Sequence, residues 1–245
     1  MKKYSVLLII FIFSLNIFAQ TAQKQREKAV VLNANKTDSS ALELAKATLA
    51  AHGGDKLIGV KSIVIRGSAD LTAGASAQSI PAGFSIVTSG AKYRFDIQSP
   101  FFNFQQIFDG EQTFSSISGL NIPLNKSGLQ ILSKINSEGY TVSALPDKFK
   151  KKTGFRLTSP DGYSTDFIVD DKTKQVKEYE ASYQIGNNLL TTSVAIDKYR
   201  DVEGILVNEK FSQRMETRQG TFYSSFKAKE ILVNSPIDES VFIMK

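Results

Sequence analysis

The chain has 245 residues, no cysteine, a single histidine, 17 phenylalanines and a formal charge of +6. Without cysteine there can be no disulfide, thiolate metal site, cysteine nucleophile or lipid-modified cysteine anchor. One histidine excludes an HExxH site, and the mild basic excess forms no long stripe with interleaved aromatics, so no nucleic acid partner is expected.

Lys2 and Lys3 precede an apolar run over residues 6–13 that continues through Ile17, Phe18 and Ala19. A positive start, a short apolar stretch and small residues at Ala19 and Ala22 predict a secretory signal peptide over residues 1–19, cleaved near Ala19. A polar, aromatic-free leader is expected over 20–38, and one domain over 39–245. No later stretch reaches the roughly 18 apolar residues that span a bilayer. The expected location is the periplasm, without a lipid anchor. With Lys2 and Lys3 set apart, the formal charge falls from +6 to +4.

Ser40-Ala41-Leu42-Glu43 fits a capping box, and Leu42, Ala45 and Leu49 follow on one helical face. Gly53-Gly54 supplies the stop, since glycine takes the left-handed cap without a Cβ penalty. From Ser62 the period becomes two: Ile63, Ile65, Ala69 and Leu71 alternate with Arg66, Ser68 and Asp70. The same alternation returns at Phe84/Ile86, Tyr93/Phe95/Ile97, Phe102/Phe104/Phe108, Phe155/Leu157, Thr165/Phe167/Val169, Val207/Phe211/Met215 and Phe222/Phe226. Turn signals such as Ser89-Gly90, Asp109-Gly110, Pro160-Asp161-Gly162 and Glu203-Gly204 lie between them, leaving no room for crossover helices. The strands must pair antiparallel, with one face apolar and one wetted. Between 119 and 152 the alternation stops, and Leu129, Leu132 and Ile135, with Ile131 beside them, form a short helical stripe able to cover an open side of a curved sheet. The fold class is mainly β with some α.

No catalytic set assembles. His52 sits beside Gly53-Gly54, where its expected role is to touch the last carbonyls of its own helix. Ser89 with Lys92 and Ser224 with Lys227 match Ser-x-x-Lys, but a spacing of three in a strand points to opposite faces. Glu178 and Glu180 share a strand face, which marks a solvent side. Asp170-Asp171 fits a turn for backbone reasons alone. No cofactor or metal is implied. The basic cluster Lys148, Lys150, Lys151 and Lys152 around Phe149 reads first as a solvated loop, and second as a surface for anionic lipid or an acidic partner.

Three stretches resemble the LolA-like family of periplasmic outer-membrane lipoprotein carriers, in its divergent bacterial branch. They are Ala50-Ala51-His52-Gly53-Gly54-x-Lys56-Leu57-x-x-Val60-Lys61-Ser62-Ile63, Phe167-Ile168-Val169-Asp170-Asp171-Lys172-Thr173, and Asn234-Ser235-Pro236-Ile237-Asp238-Glu239-Ser240-Val241-Phe242. Phe108-Asp109-Gly110 lies among them, and together they span nearly all of residues 40–245. The resemblance implies an unclosed antiparallel β-barrel, LolA/LolB-like, with an N-terminal helix and a helical lid over a hydrophobic cavity for lipoprotein acyl chains. It also implies inner- and outer-membrane transfer proteins as partners. One departure stands out: the family latches its lid with a buried arginine, whereas Arg66, Arg94 and Arg156 here alternate to the polar face.

The expected function is therefore a periplasmic carrier that holds acyl chains of lipoproteins or other lipids for transfer toward the outer membrane, with no catalysis. The alternative is an envelope-stress or lipid-sensing module that signals through a membrane partner. The expected lining is Ile65, Phe84, Ile86, Tyr93, Phe95, Phe104, Phe108, Phe167, Phe211 and Phe226, with Leu129, Leu132 and Ile135 from the lid. The alternation suits a ligand cavity and a filled core equally.

Overall fold

The computed structural model describes residues 38–245 apart from 74–77, 118–121, 123, 125–127, 150, 186–187, 219 and 245. The signal peptide expected over 1–19 and the leader over 20–38, Asp38 aside, lie outside the described residues. So does Lys150.

Twelve strands form one antiparallel sheet. They are β1 Ser62–Ala73, β2 Ile80–Ser89, β3 Lys92–Gln98, β4 Asn103–Phe108, β5 Thr113–Ser115, β6 Thr141–Ala144, β7 Gly154–Thr158, β8 Ser164–Val169, β9 Val176–Ile185, β10 Asn188–Val202, β11 Ile205–Thr217 and β12 Gly220–Val233. Two meanders, β1 to β5 and β6 to β12, join where β1 pairs with β12, giving the order β5-β4-β3-β2-β1-β12-β11-β10-β9-β8-β7-β6. Among the described residues the end strands β5 and β6 pair with nothing further, and the curved sheet is unclosed. This is the unclosed curved sheet that the resemblance implies.

The registers carry one side-chain phase through all twelve strands. Ile65 stands opposite Ile86 and Ile231, Ile86 opposite Phe95, and Phe226 opposite Ala69 and Phe211. Where the phase would slip, a bulge absorbs the extra residue, as at Arg66/Gly67 on β1. A Cβ at Gly67 would collide with the Lys227 carbonyl oxygen, so the bulge needs glycine.

Helix α1, Ser39–Ala51, buries Ala41, Ala45, Thr48 and Leu49 and lies against β6 and β7. Its cap differs from the capping-box expectation. Asp38 is the N-cap, its carboxylate accepting from the N–H groups of Ser40 and Ala41 and from the Ser40 hydroxyl. A carboxylate two residues earlier satisfies more orphan donors than the Ser40 hydroxyl could, and Glu43 is left to pair with Lys46. Gly53 and Gly54 then take positive φ, and α2, Asp55–Ile58, follows.

The stretch 119–152 is less helical than expected. Leu129–Lys134 is a 3₁₀ helix, and four residues, too few to show a period, make the end strand β6. At the turn after β3, Phe102 falls outside the strands and is exposed with Phe101. On the outer face, Val64, Val87 and Ile107 form a second apolar cluster with Phe242, packed by Ile237, Val241 and Met244. The C-terminal loop is fixed there by Asp238, which caps the 3₁₀ helix Glu239–Phe242, and by the Lys92–Glu239 ion pair.

His52 does not serve its own helix end through its ring. The imidazole is fully buried, and its Nε2 accepts the Val176 N–H at 3.0 Å. The Tyr199 ring meets it edge-on at 5.0 Å, and the Tyr199 hydroxyl donates to the Val176 carbonyl at 2.7 Å. Histidine and tyrosine thus clamp both polar groups of Val176 at the start of β9. Burial holds the imidazole neutral, its pKa lowered from 6.5 to about 4.

A folded-state value below the unfolded one means that unfolding takes up a proton. Stability is therefore whole above pH 6.5 and drains as the pH falls toward 4, by about 3 kcal/mol. His52→Leu orphans the Val176 N–H and should be less stable than the wild type at pH 7.5 by about 1–3 kcal/mol. Urea melts should show that deficit vanish or reverse at pH 4; a gap equal at both pH values would contradict the buried neutral imidazole.

Candidate functional site

One face of the sheet carries no Asp, Glu, Lys or Arg at the register positions of the described strands except at one end of β10 and β11, where Arg200 stands opposite the core residue Val207 and pairs with Glu209. All ten sequence-predicted lining residues sit on this inner face. Phe84, Phe104, Phe211, Phe226, Phe167 and Ile65 are buried in the main core, together with Leu132 and Ile135, while Leu129 is half-buried against it. The rings of Phe211 and Phe226 stack at 4.7 Å, with Phe84 edge-on to Phe226 at 5.1 Å. Ile86, Phe95 and Phe108 stay half-buried. Phe167 belongs to a separate contact with Phe155 and Tyr179, and Tyr93 stacks on Phe108. The inner row is thus tightly filled around Phe84, Phe211 and Phe226, and less so along β2 to β4.

The cover comes from α1, from the 3₁₀ helix with Ile131, Leu132 and Ile135 buried beneath it, and from Ile122. Ile122 packs near Ala181, Tyr183 and Leu190 of β9 and β10. Its backbone, however, is held from the opposite side of the sheet. Gln106 on β4 is fully buried; its amide oxygen accepts the Ile122 N–H at 3.1 Å, and its amide nitrogen donates to the Ile122 carbonyl at 2.5 Å. Tyr93 donates to the same carbonyl at 3.0 Å and is itself bonded by Gln106. A primary amide thereby reads a backbone as a neighbouring strand would, and ties two distant parts of the inner face together.

Gln106 was absent from the sequence-predicted site. Its signal was present: in Phe104-Gln105-Gln106-Ile107-Phe108 the alternation puts a polar residue between two inward phenylalanines. A buried polar group at an apolar position requires a partner, and a backbone strap is one.

Arg66, Arg94 and Arg156 are on the outer face. Arg66 pairs with Glu230, Arg94 with Asp96, and Arg156 makes two bonds to Asp166, at 2.6 and 2.8 Å. Asp166 lowers the free energy of the Arg156 cation, pushing its pKa up. Of the basic cluster, Lys148 pairs with Glu180 and Lys152 with Glu178, both cations lying over the Phe149 ring. That accounts for Glu178 and Glu180 sharing a face. Asp170 accepts the N–H groups of Lys172 and Thr173 and pairs with Lys177, which holds its carboxyl far below the usual range.

A groove of about 580 Å³ lies on the outer face, between β1–β3 and the C-terminal loop. Arg66, Arg94, Asp96 and Asp238 make it polar, and of the sequence-predicted lining only Phe84 borders it. An apolar chain would leave their ion pairs in contact with hydrocarbon, so this groove is poorly matched to one.

No protein-family model matches the sequence, and no curated protein is similar to it in sequence. Solved structures are similar in fold. A LolA superfamily protein from Nitrosomonas europaea superposes with a TM-score of 0.50 at 12% identity, covering 85% of this chain and 98% of that one. A putative outer membrane lipoprotein-sorting protein domain from Vibrio parahaemolyticus reaches 0.46 at 12% identity, covering 83% and 96%. A DUF1329 family protein from Desulfovibrio piger reaches 0.45 at 9% identity, with the same coverage. The first likeness shows the LolA-like fold.

Gln106→Leu keeps the volume and removes the clamp, leaving the Ile122 N–H without its partner while the carbonyl keeps the Tyr93 hydroxyl. It should cost about 1–3 kcal/mol in a urea melt and speed amide hydrogen exchange at Ile122. Unchanged exchange there would show that the amide holds nothing in place.

Proposed function

We propose that this protein is an exported periplasmic carrier that binds acyl chains of lipoproteins or other lipids on its inner face and passes them on toward the outer membrane. The reading takes residues 1–19 as a signal peptide removed near Ala19, 20–38 as a leader, and 39–245 as one binding domain. Inner- and outer-membrane transfer proteins are its expected partners, and no chemistry is needed.

One observation carries the proposal. A curved, unclosed sheet presents a face free of acid and base apart from Arg200 at one end, and what covers that face is a helix, a 3₁₀ turn and one clamped residue rather than a second sheet. Each CH₂ moved from water onto such a face is worth about 0.8 kcal/mol, so a chain of ordinary length gains several kcal/mol after ordering. The filled stack at Phe84, Phe211 and Phe226 means that the chain enters as the cover lifts, first along Ile86, Phe95 and Phe108. Release follows when a partner favours the covered state.

The alternative of a stress-sensing module looked to residues 148–152 for its partner surface. Lys148 and Lys152 are already paired with Glu180 and Glu178, so a carrier accounts for more of the structure.

Native mass spectrometry of protein purified from the envelope fraction should show co-purifying lipid. Phe95→Glu places a charge on the half-buried end of the inner face and should reduce lipid occupancy about tenfold. Should that variant fail to fold, Ile86→Ser tests the same position next door. Wild-type protein free of lipid, and unable to take up an added acyl chain, would refute the carrier reading.

A further inference from the structure

The inner face is apolar but not uniformly so. On β8 to β11 the register brings together a small group of uncharged polar side chains. Thr165 stands opposite Ala181, and Ala181 opposite Thr192. Next to them, Val194 stands opposite both Tyr179 and Gln213. Gln213 donates to the Thr192 hydroxyl at 2.8 Å. That bond leaves the Thr192 proton and the Gln213 amide oxygen without a partner among the described residues. The Thr165 hydroxyl is fully buried and makes no hydrogen bond among the described residues.

Buried hydroxyls and amides without partners are unfavourable, and they persist where something else satisfies them. Ile122 packs on the cluster that contains Ala181, the residue standing between Thr165 and Thr192. Ile122 is also the residue that Gln106 clamps.

We infer that Thr165, Thr192 and Gln213 form a subsite for the uncharged polar head of the ligand, with the acyl tail lying toward Phe211, Phe226 and Phe84. The donors and acceptors suit an ester carbonyl or a glycerol hydroxyl. An ionised carboxylate or phosphate does not suit them, because no lysine or arginine stands beside Thr165, Thr192 or Gln213 at an inner register position to balance a buried charge. The ligand class is therefore an acyl ester of glycerol, either free or carried on a lipidated peptide. The inference rests on the carrier reading above and sharpens it from any apolar chain to a neutral-headed one.

Binding of monoolein, oleate, hexadecane and a dipalmitoylglyceryl peptide by the intact protein at pH 8 tests it. Monoolein or the peptide should bind at least about tenfold more tightly than ionised oleate, and the tighter of those two identifies the source. Thr192→Val with Gln213→Leu should erase the preference and leave hexadecane binding intact; Thr165→Val is the milder second variant. Oleate binding as tightly as monoolein, or both variants keeping the preference, would overturn the subsite while the carrier reading stands. Failure of every probe to bind, hexadecane included, would overturn both.

Discussion

The structure depends on one constraint, the period-two alternation kept in phase across twelve paired strands. A single uncorrected slip in any strand would turn its acids and bases inward and its phenylalanines outward. The bulges at Arg66/Gly67, around Lys198 and at Ile168/Val169 absorb the extra residues. As a result the bulge residues Lys177, Asp197 and Lys229 fall on the exposed side. From this follow both an inner face with Arg200 as its one charged register position among the described residues and the outer face of cross-strand ion pairs such as Arg156–Asp166 and Arg66–Glu230.

A sheet built this way but left unclosed has an apolar face to hide and no second sheet to hide it. The cover is assembled from pieces with different strengths. Helix α1 is anchored through Asp38 at one end and His52 at the other, where a neutral imidazole and Tyr199 hold Val176. Ile122 is anchored by two side chains, the Gln106 amide and the Tyr93 hydroxyl. The α1 side is thus the permanent wall, and the Ile122 side is the part that can give way at low cost. Ile122 packs on the cluster of Ala181, which stands between Thr165 and Thr192, so that part lies beside the proposed subsite.

Much of this was legible in the sequence, and the failures have physical causes. Phenylalanine spacing placed Phe84, Phe95, Phe104, Phe211 and Phe226 on one face, because a half-buried strand has only one side-chain period. Asn234 to Phe242 marked a final loop, and Asp238 and Phe242 do close it. Which strands meet was not legible: the pairing of β1 with β12 joins residues about as far apart in the chain as the domain allows, and no local pattern encodes it. The cap at Asp38 was missed because Ser40 with Glu43 also satisfies the local rule. His52 was assigned to its own helix because its true partner, Val176, is brought to it only by the folded sheet. Gln106 was passed over for the same reason, since its partner lies in a stretch without periodicity.

The central claim is that the inner face, not the outer groove, receives the ligand. Methyl NMR decides between them on one sample, because Ile65 and Ile86 report the inner face while Val64 and Val87 report the outer cluster beneath the groove. Titration with monoolein should shift the Ile65 and Ile86 methyls and leave Val64 and Val87 in place. Shifts confined to Val64 and Val87 would put the ligand in the groove between β1–β3 and the C-terminal loop, and would contradict the account.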